Sequence, residues 1–349
     1  MRNYLAAVAG NDALRERLGR DLEQNALSHA YILEGPKGIG KQTLALELAM
    51  ALACEHRNDA THPLPCHTCP SCRKIAAGNS PDVIHVYREE DKVTMGVDVV
   101  RILRSDVITV PNDLNFKIYL VHDAHTMTVQ AQNAFLLTLE EPPSFVLFLL
   151  LCEDADAMLE TIRSRAPVLR MRPVADALIG EHLLTNAPTP ELARAASELC
   201  KKAPEEFAAV LRIAGGRIGT VIDLLDEEKR APLLKNRAVA TEICHMLADR
   251  GQPDALLTVL LGLGKKRDEV TVKLELLQCA LRDLLLLHYS DNAEPIFFTD
   301  KEAALELCTR FTARELLAAT EAVEKAIRAL AASGNIRLTL VQLMIDLTQ

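Results

Sequence analysis

The chain has 349 residues, of which 49% are hydrophobic and 25% charged, with a formal net charge of −9. That length predicts two or three domains, and that composition is ordinary for a globular protein. The acidic balance argues against a chain whose main task is to grip nucleic-acid phosphates, because such affinity comes from Lys and Arg, but it leaves room for a local basic patch.

The N-terminal stretch MRNYLAAVAGND turns polar too soon for an export signal. Residues 31–33 form a short apolar run that feeds a glycine-rich loop, and residues 43–54 read as a helix with Leu44, Leu48 and Leu52 on one face. The loop itself, residues 35–42, reads Gly-Pro-Lys-Gly-Ile-Gly-Lys-Gln. Between a strand and a helix this is the pattern of a phosphate-binding loop. Gly35, Gly38 and Gly40 let backbone N–H groups close around phosphates, and Lys41 reaches the outer ones. The other reading is a glycine turn that caps a helix. One residue departs from the pattern: Gln42 stands where a hydroxyl should ligate magnesium. Thr43 is next to it, but successive helical residues point about 100° apart. Phosphate binding survives this change better than an ordered magnesium ion does.

Four cysteines follow, Cys54, Cys66, Cys69 and Cys72, spaced C-x11-C-x2-C-x2-C with Pro65 and Pro70 among them. Four thiolates satisfy one tetrahedral Zn²⁺, and a site with no open position is structural. His62 and His67 are competing ligands. Free thiols or a redox pair are the other readings. The remaining cysteines, Cys152, Cys200, Cys244, Cys279 and Cys308, read as ordinary buried residues. Nine cysteines in a chain without an export signal imply reduced thiols and a cytoplasmic protein.

Further strands are expected at 83–86, 117–121, 145–151 and 168–171, so the first half alternates strand and helix and predicts a parallel sheet covered by helices. The longest apolar run, about residues 145–152, is far short of the roughly 20 residues of a membrane span. After Pro173 the pattern is helical, with a break at Gly215 and Gly216. The expected domains are 1–172, 173–228 and 229–349.

The phosphate loop running into a four-cysteine module resembles the AAA+ subunits of bacterial clamp loaders, of the gamma/tau and delta-prime types. The run Asn133-Ala134-Phe135-Leu136-Leu137-Thr138-Leu139-Glu140-Glu141-Pro142-Pro143 is similar to a characteristic stretch of that family, with Leu137 in place of its lysine. The segments Ser28-His29-Ala30-Tyr31 and Thr161-Ile162-Arg163-Ser164-Arg165-Ala166 are similar to two more, Ala166 replacing a cysteine. Arg282 and Arg337 lie in segments that look like helices of its collar. The resemblance implies an α/β AAA+ domain with a zinc module, a small helical lid and an all-α collar.

It also implies roles. An active ATPase of this kind needs two acids after the third strand, where this chain has His122 and Asp123, or Asp123 and Ala124 in the shifted register. The polar sensor falls at Cys152 or Glu153, and Ile218 stands at the lid's sensing arginine, one residue from Arg217. With Gln42, these departures fit the non-hydrolysing, delta-prime type of subunit. That type sits in a hetero-oligomeric ring with gamma/tau and delta subunits, which loads a sliding clamp onto primed DNA. Arg165, with Ser164 beside it, is then a finger offered to ATP on a neighbouring subunit; the other reading is a solvated arginine. The competing functions are an active gamma/tau-like ATPase and a zinc-dependent nucleic-acid module. The second of these is weakened by the scarcity of aromatics to stack bases.

Overall fold

The computed structural model describes residues 2–348 except 90, 91, 188, 251, 252, 291 and 333, and the backbone but not the side chain of 268. The chain divides into two compact units, the first made of Met1–Ser197 with Gly216–Ile222 and the second of Glu198–Gly215 with Asp223–Gln349.

In the first unit the order is α1 (Asp12–Glu23), β1 (Ala30–Glu34), α2 (Lys41–Ala53), α3 (Pro70–Ala76), β2 (Val83–Val86), α4 (Val97–Val107), β3 (Lys117–Val121), α5 (Val129–Glu140), β4 (Val146–Cys152), α6 (Glu160–Arg163), β5 (Val168–Arg170) and α7 (Asp176–Thr185). The five strands form one sheet in the order β2-β3-β4-β1-β5, and every pairing is parallel. Parallel strands are covered on both faces and therefore read as continuous apolar runs; every residue of β4 is buried. Alternate side chains go to opposite faces. Leu147, Leu149 and Leu151 join one apolar core with Leu44 and Leu48 of α2, while Phe148 and Leu150 join the other with Phe135 of α5 and Leu103 of α4. The parallel sheet with flanking helices is consistent with a P-loop domain of the AAA+ kind. The observed strands agree with the expected ones to within a residue or two at each end.

Two polar devices hold the outer part of the sheet. Asp82, fully buried, accepts from the backbone N–H groups of Asn112, Asp113 and Leu114 at 2.7, 2.7 and 2.8 Å. Lys117 Nζ, at the start of β3, pairs with Asp106 Oδ2 at 2.9 Å, and Tyr119 donates to the same oxygen at 2.8 Å. The first ties the loop before β3 to the start of β2, and the second ties the end of α4 to β3.

Helices α8 (Pro190–Lys202), α9 (Pro204–Ala214) and α10 (Ile218–Leu225) follow α7. Alpha 9 ends at Gly215, whose φ of +55° suits glycine. The second unit is completed by α11 (Glu227–Ala248), α12 (Pro253–Leu261), α13 (Arg267–Tyr289), α14 (Lys301–Cys308), α15 (Ala313–Ala331) and α16 (Ile336–Thr348). Every helix or strand assigned among its described residues is a helix. Leu274, Leu277, Leu281 and Leu284 of α13 lie at helical spacing in its centre, packed with Ile243 of α11 and Val323 of α15. No helix among the described residues is long and apolar enough to cross a membrane.

Candidate nucleotide cleft and metal centre

In an open parallel sheet the crevice for a ligand lies beyond the carboxyl ends of the strands. Here that position holds a cleft of ≈ 810 Å³ lined by Gly38, Gly40, Lys41, Gln42, Thr43, His122, Asp123, Glu153 and Gly219, among others. Gly38 and Gly40 have φ of +81° and +106°, the left-handed region that glycine enters without a Cβ clash. Lys41 folds back on its own loop: its Nζ donates to the carbonyls of Gly35 and Pro36. Burial lowers its pKa, against the pull of Glu153, Cys152 and Asp123.

The segment expected to carry a lid sensor lies directly on this loop. Gly219 N–H donates to Gly38 O at 2.7 Å, and a Cβ on Gly219 would stand 2.9 Å from that oxygen, so only glycine permits the approach. Ile218 is buried, and a Cβ on Gly40 would come within 3.7 Å of it. An aliphatic side chain therefore packs against the glycine loop at the position that the resemblance gives to a sensing arginine.

His122 follows β3. Its ring stacks on Tyr87 and His85, with centroids 4.3 and 5.2 Å away, and its Nε2 lies 3.0 Å from His85 Nδ1. Burial, and then the neighbouring His85, lower its pKa to about 4. The ring is neutral at pH 7 and supplies no anionic oxygen of the kind magnesium prefers. Cys152 is fully buried, and burial pushes its thiol up to about 12. Of the two residues weighed for the sensor, only Glu153 lines the cleft. Neither the His85–His122–Tyr87 stack nor the contact of Gly219 with Gly38 was visible in the sequence, because each needs two strands or two distant loops brought together.

Arg165 follows α6. Its guanidinium donates to Thr161 O at 3.0 Å and to Glu140 Oε1 at 2.9 Å, and Ser164 Oγ donates to Thr161 O at 3.0 Å. The arginine and Glu140 are 36% and 46% exposed, so this ion pair stands in solvent. Glu140 belongs to the characteristic run named above, but its partnership with Arg165 had no local signal, since 25 positions separate the two.

The cysteine module packs on α2. Cys54, Cys66 and Cys69 are brought together with His56, and the ligand atoms of these four lie within 4.8 Å of one another. Cys72, expected as the fourth ligand, is not in that group, although its thiol interacts with Cys69 and Cys54 as well as lying 3.8 Å from Met50 O. His62 and His67 are engaged elsewhere, His62 by Asp59 at 2.9 Å and His67 by the buried Glu47 at 3.4 Å. His56 carries no sequence signal for such a role. Its Nδ1 is buried without a hydrogen-bond partner, which suits a metal ligand. Burial raises the Cys66 thiol, but the Thr68 hydroxyl, the N–H groups of Cys69 and Thr68, and His56 together bring it down to about 5. A thiol so disposed favours the thiolate that zinc requires. The donor set of soft sulfurs and an imidazole fits Zn²⁺.

Comparison with known proteins agrees with this picture. A family model described as "DNA polymerase III, delta subunit" matches residues 10–175. The chain is 29% identical over 323 residues to DNA polymerase III subunit tau/gamma of Haemophilus influenzae, covering 86% of this chain and 44% of that protein. It is 30% identical over 188 residues to subunit delta' of Bacillus subtilis, covering 54% of this chain and 55% of that one. It is 35% identical over 158 residues to subunit tau of Bacillus subtilis, covering 45% and 27%. The chain thus spans between about a quarter and just over half the length of these curated relatives. Among solved structures, a gamma subunit-related protein of Thermotoga maritima covers 95% of this chain and 98% of its own, at 17% identity and a TM-score of 0.44. The sequence matches carry the conclusion: the chain is homologous to the clamp-loader subunits of DNA polymerase III, the tau/gamma and delta' proteins among them.

Proposed function

We propose that the chain is a clamp-loader subunit of the delta-prime type, a stator that does not turn over ATP itself. It takes its place in a hetero-oligomeric ring with gamma/tau and delta subunits in the cytoplasm, and the ring loads a sliding clamp onto primed DNA. The proposed division is an AAA+ domain at 1–172, a lid at 173–228 and a collar at 229–349. A zinc ion held by Cys54, Cys66, Cys69 and a fourth ligand fixes the module's loops and takes no part in chemistry.

The observation that carries this reading is His122. A neutral, stacked imidazole occupies the position of a magnesium-binding acid, in a cleft whose phosphate loop keeps its glycines and Lys41. Gln42, Ile218 and the buried Cys152 point the same way. Phosphoryl transfer depends on metal and positioned charge around the γ-phosphate, and this chain supplies little of either to its own cleft. It retains Arg165, whose planar, permanently charged guanidinium suits phosphate oxygens. On this reading Arg165 acts on nucleotide bound to a neighbour, and Glu140 holds it until the neighbour arrives.

A second reading is an active gamma/tau-like ATPase. It is favoured by the match to tau/gamma, which extends over 86% of the chain. Co-purification with gamma/tau and delta subunits tests the first reading. Its expected result is a complex that contains this chain together with gamma/tau and delta subunits. A chain that fills the gamma/tau positions itself would favour the second.

A further inference from the structure

We infer that the second unit holds a binding site for a single carboxylate, with the guanidinium of Arg237 as its anchor.

The site begins with a charge in an apolar place. Arg237, Ala240, Cys244 and Ala248 form a buried stripe along α11, at a helical spacing where a core-facing residue is ordinarily apolar. Arg237 is more than nine-tenths buried. Among the described residues its guanidinium has neither a hydrogen bond nor a close ion pair. It has the face of the Phe297 ring, 4.5 Å from its central carbon. A ring face offsets only part of the cost of taking a cation out of water, and buried charges are ordinarily paired. Burial lowers the Arg237 pKa to about 10, so the group stays charged at neutral pH.

The neighbouring charges leave it unmatched. Asp283 of α13 attracts it, but that carboxylate is engaged elsewhere. Its Oδ2 accepts from the N–H groups of Phe297 at 2.5 Å and Phe298 at 3.3 Å, and its Oδ1 is enclosed without a partner. An enclosed oxygen is out of reach of a water that would bridge it to the arginine. Arg212 of α9 repels Arg237, and its Nε is also buried without a partner. Two guanidinium groups thus share one carboxylate, and one positive charge is in surplus.

Arg237 lines a cavity of ≈ 390 Å³ in which α9, α11 and the start of α14 meet. Thr241, one turn further along α11, and Thr299 add hydroxyl donors, while Ala209, Leu234 and Phe297 add apolar wall. Glu205, Glu206 and Asp300 are exposed parts of the lining, and Arg230 lies 3.4 Å from Glu206. These acids oppose a phosphate dianion. One carboxylate matches the single surplus cation and the planar fork of donors that a guanidinium presents. The ligand is therefore a monoanionic carboxylate on a short apolar stem, either a free acid or an acidic side chain of a neighbouring subunit. The second source rests on the ring proposed above; the site itself does not.

The test uses the full-length chain with butyrate as the probe, and reads binding from saturation transfer to the butyrate protons at constant ionic strength. Wild type, Arg237→Gln, Arg237→Lys and a control outside the cavity, Arg250→Gln, are compared after circular dichroism has checked their folding. Wild type and control should bind saturably in about the millimolar range. Arg237→Gln should bind at least about tenfold more weakly. Arg237→Lys, which keeps the charge but not the fork, should show an intermediate loss, and it carries the comparison if Arg237→Gln does not fold. Acetate should displace butyrate and equimolar phosphate should not. Absence of saturable binding to wild type, undiminished binding by the folded Arg237 variants, or displacement by phosphate as effective as by acetate would each overturn the site. Butyrate bound by the free chain but excluded from its complex with gamma/tau and delta subunits assigns the natural carboxylate to a neighbour's side chain. Equal binding in the complex assigns it to a free acid. Failure of the chain to join such a complex would reject the ring and leave the carboxylate site standing.

Discussion

Substituting Asp82 with asparagine tests whether the outer strands are held as described. The carboxylate is fully buried and takes three backbone N–H groups, from Asn112 on Oδ1 and from Asp113 and Leu114 on Oδ2. An asparagine keeps one acceptor oxygen. If that oxygen takes the place of Oδ2, two bonds survive as weaker neutral ones, and the Asn112 N–H faces an amide donor. A buried donor left unmade costs about 1–3 kcal/mol, and exchanging charged for neutral acceptors costs about 1 kcal/mol more. The sum, roughly 2–4 kcal/mol, corresponds to about 30- to 1000-fold faster opening. Hydrogen exchange of the β2 and β3 amides reads this directly and suits a chain of two units, for which one global transition is poorly defined. The pH dependence has a definite sign. Burial raises the Asp82 carboxyl, but the three N–H groups outweigh it and leave its pKa below the ordinary 3.8. Its stabilisation is therefore complete well above pH 3.8 and is lost as pH falls through the lower folded value. The penalty of Asp82→Asn should be full at pH 7 and start to shrink near pH 4. A change below about tenfold at pH 7, or a penalty larger at pH 4 than at pH 7, would refute the reasoning.

Other outcomes follow from the two sites. The purified chain should hydrolyse ATP no faster than its Lys41→Ala variant; a substantial rate abolished by that substitution would contradict the account of His122 and Gln42. Cys69→Ser should release the metal, since Cys69 belongs to both possible ligand sets, and metal analysis showing full content would remove it from the site. Glu140→Gln removes a solvent-exposed ion pair and should change thermal stability by no more than about 1 kcal/mol. A larger loss would make the Glu140–Arg165 pair a structural feature, not a holder of a mobile arginine.

What could be read in the sequence was what sits in contiguous segments. The strands show as unbroken apolar runs because parallel strands are covered on both faces. The phosphate loop shows because its glycines and Lys41 must be close in sequence to close around one ligand. Cys66, Cys69 and Cys72 show because two-residue gaps return the chain to the same place. What stayed hidden depends on distant segments meeting. His56 has no signal of its own: its position is set by Arg2, 54 residues away, and by the ring of His62. His122 reads as a missing acid, but its neutrality comes from burial and from His85 on the neighbouring strand. The buried Glu47, which pairs with His67, looks like any acid on a helix until the fold encloses it.

On the proposed function, this subunit contributes to catalysis through a neighbour's site. The most direct measurement is ATP turnover of the reconstituted complex, with clamp and primed DNA present, containing either the wild-type chain or Arg165→Ala. Arg165 is half-exposed, so its loss should leave folding, metal content and assembly intact. A partial fall in turnover is expected, because one interface loses its guanidinium while others keep their own. Equal rates from two complexes shown to be fully assembled would contradict it.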